Sequence, residues 1–332
     1  MMLIVGTLPD KNIPLTIGQA EMDGDLLVAD GRRFPCTQGT GALISSALAT
    51  TSYLKLETPH VMVVGDIGDG RGTREMYQYL VNNIVELSPK VLVLHYCLPI
   101  MALMKKLCEV VEKCIQRPIM IADAGAMYAA KGAGLSHKFD IFTPDPTEIA
   151  FLADPLATHP AYIARHLFEF ELDKIPEWII TAKKNKSDAK LLLVKGKSDY
   201  IASDGKILAT INEPDIPVLE AIGGTGDAIT GLISALVYAD LEAKEAAIIA
   251  ARTNRMAGKF AQPTPATSVK RIIDQFPNVP LIKGTAELCE IVKVTDYGRW
   301  TMVKAGNMKL SFDKASGIIV NTSGGGCPDI PY

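Results

Sequence analysis

The stretch from Glu220 to Val237, EAIGGTGDAITGLISALV, sets Gly223, Gly224 and Gly226 around Thr225 and adds Asp227. It then runs on through Ile229, Leu232, Ile233, Leu236 and Val237 at the 3.6-residue spacing of a helix. The glycines therefore stand at a helix N-terminus. The first amides of a helix have no intrahelical acceptor and the macrodipole is positive there, so glycines at that end let a bulky anion reach the backbone. Asp227 falls in the first turn, beside that anion hole. A carboxylate so placed takes the proton of a hydroxyl as its oxygen attacks phosphorus, and the amides stabilise the developing charge, which is the chemistry of phosphoryl transfer. A plain helix start accounts for the same residues, as a tight glycine turn with Asp227 favourably placed on the dipole.

Other residues with chemical potential close the apolar runs. Asp123 ends IMIAD, at the carboxyl edge where open parallel sheets bind ligands, and either contacts substrate or bonds a nearby loop. Lys195 ends LLLVK and either neutralises a phosphate or faces solvent. His95 ends VLVLH without a Cys or acidic residue at metal-ligand spacing and reads as a lone polar strand end. Asp145 and Glu148, in DPTE, are spaced as the N-cap and N3 of a capping box. There is no G-x-x-x-x-G-K-[ST] loop, and GDIGDGRG (65–72) lacks G-x-G-x-x-G spacing. Lying between a strand and a helix, that segment either lines a ligand or simply turns the chain.

The elements that must position these residues are short β-branched or Leu-rich runs alternating with longer amphipathic ones, the pattern of strand-helix-strand units around a mainly parallel sheet. Strands are expected at VMVVG (61–65), VLVLH (91–95), IMIAD (119–123), DIFTP (140–144) and LLLVKG (191–196). Helical spacing joins the first two through Met76, Leu80, Val81, Ile84 and Leu87, and the next pair through PIMALMKKLCEVVEKCIQRP. Asp204-Gly205 signals a hairpin, as do Asp23-Gly24 and Asp30-Gly31. Helices are expected over about 225–237 and 241–261. From 281 onward EIVKVTD, RWTMVKAG, MKLSFD and GIIVNTS predict a small β-rich extension over 281–332, following a catalytic domain over 1–280. The closing SGGGCPDIPY is expected to be a flexible terminus, since no helix follows its glycines.

Composition narrows the function classes. The 332 residues are 48% hydrophobic, enough for a substantial core, and the net charge of -3 from 34 basic and 37 acidic residues leaves no footprint for nucleic acid or anionic lipid. The basic cluster KKNKSDAK (183–190) reads as a solvated loop. No run of about 18 apolar residues marks a membrane span, and the N-terminus does not read as a signal peptide, so a cytoplasmic location is expected. The six cysteines form no C-x-x-C pair; Cys108 and Cys114 fall in phase with Leu103, Met104, Leu107 and Val111 and read as core thiols.

GGTGD after a hairpin and before a small-residue helix resembles the ribokinase superfamily, and within it the ATP- or ADP-dependent NAD(P)H-hydrate dehydratases. VMVVGDIGDG is similar to that family's strand and G-P-G-L-G turn, IMIADAGAM to its D-A-D-A-L, FTPDPTEIAFL to its T-P-H-P-G-E, LLLVKG to its strand ending in Lys-Gly, TNRMAGKFA to its H-G-x-A-G helix, and TPATSVKRIIDQFP to its A-S-D-L-x-x-x-I-P. The landmarks keep their order over roughly 35–278. Five positions depart from the pattern: Asp66 replaces the proline of the turn, Asp145 a histidine, Thr147 the glycine of G-E, and Asn254-Arg255 the helix His-Gly; the family's N-terminal glycine-rich nucleotide loop is not clear in this chain either.

The resemblance implies a ribokinase-like α/β three-layer fold, with a mainly parallel central sheet flanked by helices. It implies Asp227 as catalytic base and the amides of Gly224, Thr225 and Gly226 as the anion hole. Gly223 and Lys195 would bind nucleotide, and Asp123, Asp145 and Asn254 substrate. Glu148, which with Asp145 is similar in position to the N-x-x-E element of ribokinase-like enzymes, would serve Mg2+ through hard oxygens. ATP or ADP would phosphorylate the hydroxyl of NAD(P)H hydrate, with phosphate then eliminated, in a homo-oligomer. Two alternatives use the same residues: a kinase for a small alcohol such as a sugar, hydroxymethylpyrimidine or thiazole, and a nucleotide-binding protein without catalysis.

Overall fold

The computed structural model describes residues 1–157, 172–279, 293–305 and 308–323, in two compact units, Met1–Leu281 and Ile282–Tyr332. The strands of the first unit are β1 (Met2–Leu8), β2 (Thr16–Gln19), β3 (Glu21–Asp23), β4 (Leu26–Ala29), β5 (Arg32–Pro35), β6 (His60–Gly65), β7 (Val91–His95), β8 (Ile119–Ala122), β9 (Ile141–Phe142), β10 (Leu191–Val194), β11 (Asp199–Ser203) and β12 (Lys206–Ile211). Nine of them form one sheet in the order β12-β11-β10-β9-β8-β7-β1-β6-β2. From β10 to β6 every pairing is parallel; β2 at one edge and β11 and β12 at the other are antiparallel. The parallel strands therefore end along one common carboxyl edge. β3, β4 and β5 make a separate three-stranded meander.

Helices cover both faces: α1 (Gly39–Tyr53), α2 (Arg71–Leu87), α3 (Met101–Val111), α4 (Gly125–Gly132), α5 (Pro146–Ala153), α6 (Ile175–Lys184), α7 (Thr225–Tyr238), α8 (Ala243–Ala261) and α9 (Val269–Ile273). The pleat sorts the strands between two cores. Ile4, Val61, Val63 and Val93 pack against Leu43 of α1 and Leu232 and Ile233 of α7, whereas Leu3, Val5, Val64 and Leu94 pack against Met76 and Leu80 of α2 and Met104 and Leu107 of α3. Strands covered on both sides have no polar face, which is why they read as continuous apolar runs.

The expected strands, hairpins and helices are present, with β9 shortened to two residues. The sequence reading left β1 and α1 unassigned, and both prove central. β1 lies between β6 and β7. α1 is buried almost all round, from Thr40 through Leu48 and again at Thr50 and Thr51, so it lacks the polar stripe by which helices are recognised.

The second unit is a four-stranded antiparallel sheet of β13 (Lys293–Tyr297), β14 (Trp300–Ala305), β15 (Met308–Asp313) and β16 (Ile319–Ser323), in sequence order. The terminus beyond Ser323, expected to be flexible, lies outside the described residues, as do Cys289 and Cys327. Cys36, Cys97, Cys108 and Cys114 are buried free thiols. Among the described residues no helix is long and apolar enough to cross a membrane.

Candidate active site

The carboxyl edge of the sheet brings Thr7 of β1, His95 at the end of β7 and Tyr96 after it, Asp123 after β8, Asp145 after β9 and Lys195 after β10 towards the N-terminus of α7. Gly224 caps α7 at φ +96°, where an added Cβ would stand 3.0 to 3.1 Å from Ala42, Gln38 and Val269; only glycine suits both the backbone and the space. α1 and α7 pack side by side, joined by a hydrogen bond from Ser46 Oγ to the carbonyl of Ala228 at 2.5 Å.

That packing sets Asp227. Its Oδ2 accepts the amide hydrogen of Gly39, the first residue of α1, at 2.9 Å, and its Oδ1 lies 2.9 Å from His95 Nε2. Burial acts to raise the carboxyl pKa, but the hydrogen bond and charge of His95, the Lys195 ammonium and the Gly39 amide outweigh it and hold Asp227 below the usual carboxylate range. It is the ionised form of a base. The reading of His95 as a lone strand-end residue is thereby corrected: its acidic partner lies 132 positions away in the chain, which no local spacing reveals.

Lys195 and Asp123 form a buried pair, with Nζ 2.8 and 3.0 Å from the two carboxylate oxygens. Asp123 also accepts from the Ala124 amide at 2.9 Å and from Thr230 Oγ1 at 2.5 Å. These donors occupy Asp123, so it holds Lys195 in place beside the ligand space. Burial lowers the lysine pKa, but Asp123, Glu148 and Asp227 more than offset this and hold it above its ordinary value. Asp145 and Glu148 do form the capping box of α5: Asp145 Oδ1 accepts from the amides of Thr147 and Glu148, and Glu148 Oε2 accepts from the amide of Asp145 at 2.8 Å. Burial, with Asp145 and Asp123 adding, drives the Glu148 carboxyl well above the usual range.

These groups line a cavity of about 500 Å³ that takes in Asp123, Asp145, Glu148, Lys195, Thr225, Gly226, Asp227 and Asn254. Gly223 and Gly224 stand outside its lining. Gly223 instead faces Gln38 and borders a smaller hollow of about 240 Å³ with Ser268. Asn254 is only 4% exposed; its Nδ2 donates to the Thr225 carbonyl at 3.3 Å, while its Oδ1 has no hydrogen-bond partner among the described residues. A buried acceptor left open in a cavity wall fits a ligand donor. Arg255 Nε meets Asp199 Oδ2 at 2.7 Å and its NH2 donates to the carbonyls of Gly196 and Lys197, clamping the turn that follows Lys195. Tyr96, 50% exposed, contributes a ring to the cavity from a left-handed backbone, φ +50°. His95, Asp123 and Asp227 place ligand atoms within 4.8 Å of one another. His95 Nε2 is already hydrogen-bonded to Asp227 and the Asp123 carboxylate to Lys195, so protein partners occupy these atoms.

A family model described as NAD(P)H-hydrate dehydratase matches residues 75–278, more than half of the chain. The chain belongs to the NAD(P)H-hydrate dehydratase family. An uncharacterized protein of Methanocaldococcus jannaschii is 37% identical over 235 residues, 71% of this chain and 96% of that one. The bifunctional NAD(P)H-hydrate repair enzyme Nnr of Pyrobaculum aerophilum is 28% identical over 153 residues, 46% of this chain but 27% of that enzyme. The ADP/ATP-dependent NAD(P)H-hydrate dehydratase of Bacillus subtilis, co-crystallized with ATP and Mg2+, superposes with a TM-score of 0.49 at 14% identity over 83% of this chain and 87% of that one. Residues 291–332 match a separate domain of unknown function.

Within this NAD(P)H-hydrate dehydratase family member the departures from the pattern have local roles. Asp66, at the turn after β6, accepts from the amides of Gly68, Gly70 and Thr73 and from Thr73 Oγ1, and so shapes the loop from within. That segment, GDIGDGRG, is a strand-to-helix turn and does not line the cavity. Sequence reasoning passed over Gly39, Thr40 and Tyr96. The first two lie in TQGTGAL, whose Gly-Thr-Gly repeats that of the proposed anion hole, and the third follows a strand end at the ligand-binding edge.

Proposed function

We propose that the protein is a nucleotide-dependent NAD(P)H-hydrate dehydratase in which Asp227 is the general base. The observation that carries this reading is the Asp227 carboxylate, ionised and held from two sides at the mouth of α7, within a cavity of about 500 Å³ in a chain of this family. The residues present fit the groups the family implies. The amides of Thr225, Gly226 and Asp227 lack intrahelical acceptors by position and suit phosphate oxygens, with Lys195 beside them. The open Oδ1 of Asn254 suits a ligand N–H. Asp145 and Glu148 would hold Mg2+ through hard oxygens: Asp145 keeps Oδ2 without a hydrogen bond among the described residues, and Glu148 presents carboxylate oxygens that accept from the Asp145 amide and the Tyr128 hydroxyl. Bound there, ATP or ADP with Mg2+ would supply an activated, charge-neutralised phosphoryl group.

In this reading Asp227 takes the proton of the substrate hydroxyl as its oxygen forms a bond to the terminal phosphorus and the bond to the nucleotide leaving group breaks. The α7 amides and Lys195 hold the negative charge that develops. Cleavage of the ring C–O bond then releases phosphate, and loss of a proton from the adjacent ring carbon restores the double bond of NAD(P)H. Incubating the full-length protein with hydrated NADH, ATP or ADP, and Mg2+ should recover the absorbance of reduced nicotinamide. Nucleotide binding without that recovery would sink the proposal, and a stable phosphorylated alcohol from another substrate would replace it with a kinase.

A further inference from the structure

Behind Asp227 lies a buried hydrogen-bond chain that the reaction above does not use. Thr40 has one hydroxyl hydrogen and donates it to the Thr7 carbonyl at 2.7 Å. Towards His95 Nδ1, 3.0 Å away, the same oxygen is therefore the acceptor, and Nδ1 carries a hydrogen. The other ring nitrogen, Nε2, faces Asp227 Oδ1 at 2.9 Å, and two bare lone pairs cannot make that contact. The ring is fully buried, with 0% exposure.

The surrounding charges agree. Asp123 Oδ2 lies 3.7 Å from Nε2, and Asp123 is neutralised by the Lys195 ammonium at 2.8 Å. The Tyr96 ring stands edge-on to the imidazole at 4.4 Å and its hydroxyl, raised by burial and by Asp227 and Asp123, adds no negative charge. Lys195 makes its hydrogen bonds to Asp123, so among the described residues the side chain in direct contact with Asp227 is the imidazole.

We propose that His95 is a positioning residue for Asp227: braced by Thr40 and bearing a hydrogen on each nitrogen, it anchors Oδ1 and turns the charged carboxylate towards the cavity. The proton taken from substrate goes to Oδ2, which holds only the Gly39 amide, and the hydrogens of His95 stay where they are. The inference rests on Asp227 being the base, but one arm of its test does not.

In full-length protein with 15N-labelled histidine, one of the five histidine rings, assigned by its loss in His95→Gln, should show both nitrogens protonated at neutral pH and become a neutral tautomer in Asp227→Asn. A neutral ring in the wild type would overturn the proposal whatever the substrate proves to be. In turnover, His95→Leu should lower kcat by about a hundredfold, with the nucleotide KM unchanged. It should also move the acid limb of the kcat/KM profile to higher pH, because a base whose pKa rises is lost to protonation sooner as pH falls. His95→Gln, whose amide reaches Oδ1 without a charge, should recover part of kcat with the limb still displaced. Variants that bind nucleotide and unfold like the wild type, yet keep its kcat and its acid limb, would overturn the proposal. Should His95→Leu fail to fold, Thr40→Val removes only the Nδ1 acceptor and carries the same expectation. Failure of the hydrated-nicotinamide assay in the wild type would count against the function reading and leave the ring measurement decisive.

Discussion

Residues 39–41 and 224–226 both read Gly-Thr-Gly, and both open a helix of the same packed pair, yet they do opposite things. At α1 the Gly39 amide is consumed by Asp227, and the Thr40 hydroxyl is consumed by Thr7 and His95. At α7 the Thr225 hydroxyl turns back to the Leu219 and Ile222 carbonyls, and Gly226 faces the cavity beside Lys195. The residue after each tripeptide explains the asymmetry. Ala42 packs against α7, whereas Asp227 reaches across to α1 and takes its amide. One helix start is bound to the protein itself, and the other is the one we propose binds a ligand.

The sharpest way to break this division is Asp227→Asn. It should lower turnover by about 10²–10⁴ while leaving nucleotide affinity and cooperative unfolding near wild type, measured by the recovery of reduced nicotinamide and by calorimetric titration. Activity above about a third of wild type would mean that another group is the base.

Two glycine variants separate packing from ligand approach at α7. Gly224→Ala must adopt a left-handed backbone against α1, and should cost about 1–3 kcal/mol in denaturant unfolding. In Gly226→Ala the new Cβ would sit 3.7 Å from the Lys195 side chain, an ordinary contact. It should leave stability unchanged but weaken nucleotide binding about tenfold, since it would stand where we propose the phosphates approach. Equal effects on stability and affinity in the two variants would erase the distinction. Gly226→Val, with a bulkier branched side chain, should weaken binding further.

A smaller effect concerns pH. The folded pKa of Asp227 is depressed, so its pairing contributes stability that is present above its ordinary value of 3.8 and is lost as pH falls through the folded value. The stability advantage of the wild type over Asp227→Asn should therefore shrink on acidification below that value. An advantage independent of pH would show that the His95 and Gly39 contacts do not favour the charged form.

The smallest change is expected from removing the second unit. We expect a chain ending at Leu281, where the first compact unit ends, to keep its kcat. A truncated protein that folds and binds nucleotide but has no turnover would place part of the chemistry in residues 282–332.

Much of this was legible in the chain itself. The apolar runs at 61–65, 91–95, 119–123 and 191–196 specify buried parallel strands because a sheet covered on both faces leaves no polar alternation, and the phase of Ile229, Leu232, Ile233 and Leu236 specifies the helix that presents Asp227. Asp145 and Glu148 announce their capping box because its partners lie three residues apart. Local spacing determines what is local. It does not reveal that α1 is a helix, since a segment buried all round has no amphipathic stripe. Nor does it pair His95 with Asp227, Lys195 with Asp123, or Gly39 with Asp227, because these partners are 132, 72 and 188 residues apart and meet only where parallel strands end side by side. The sequence determined which residues carry charge at the ends of its elements; the tertiary structure decided which of those groups pair with one another and which of them, Asp227 among them, line a cavity.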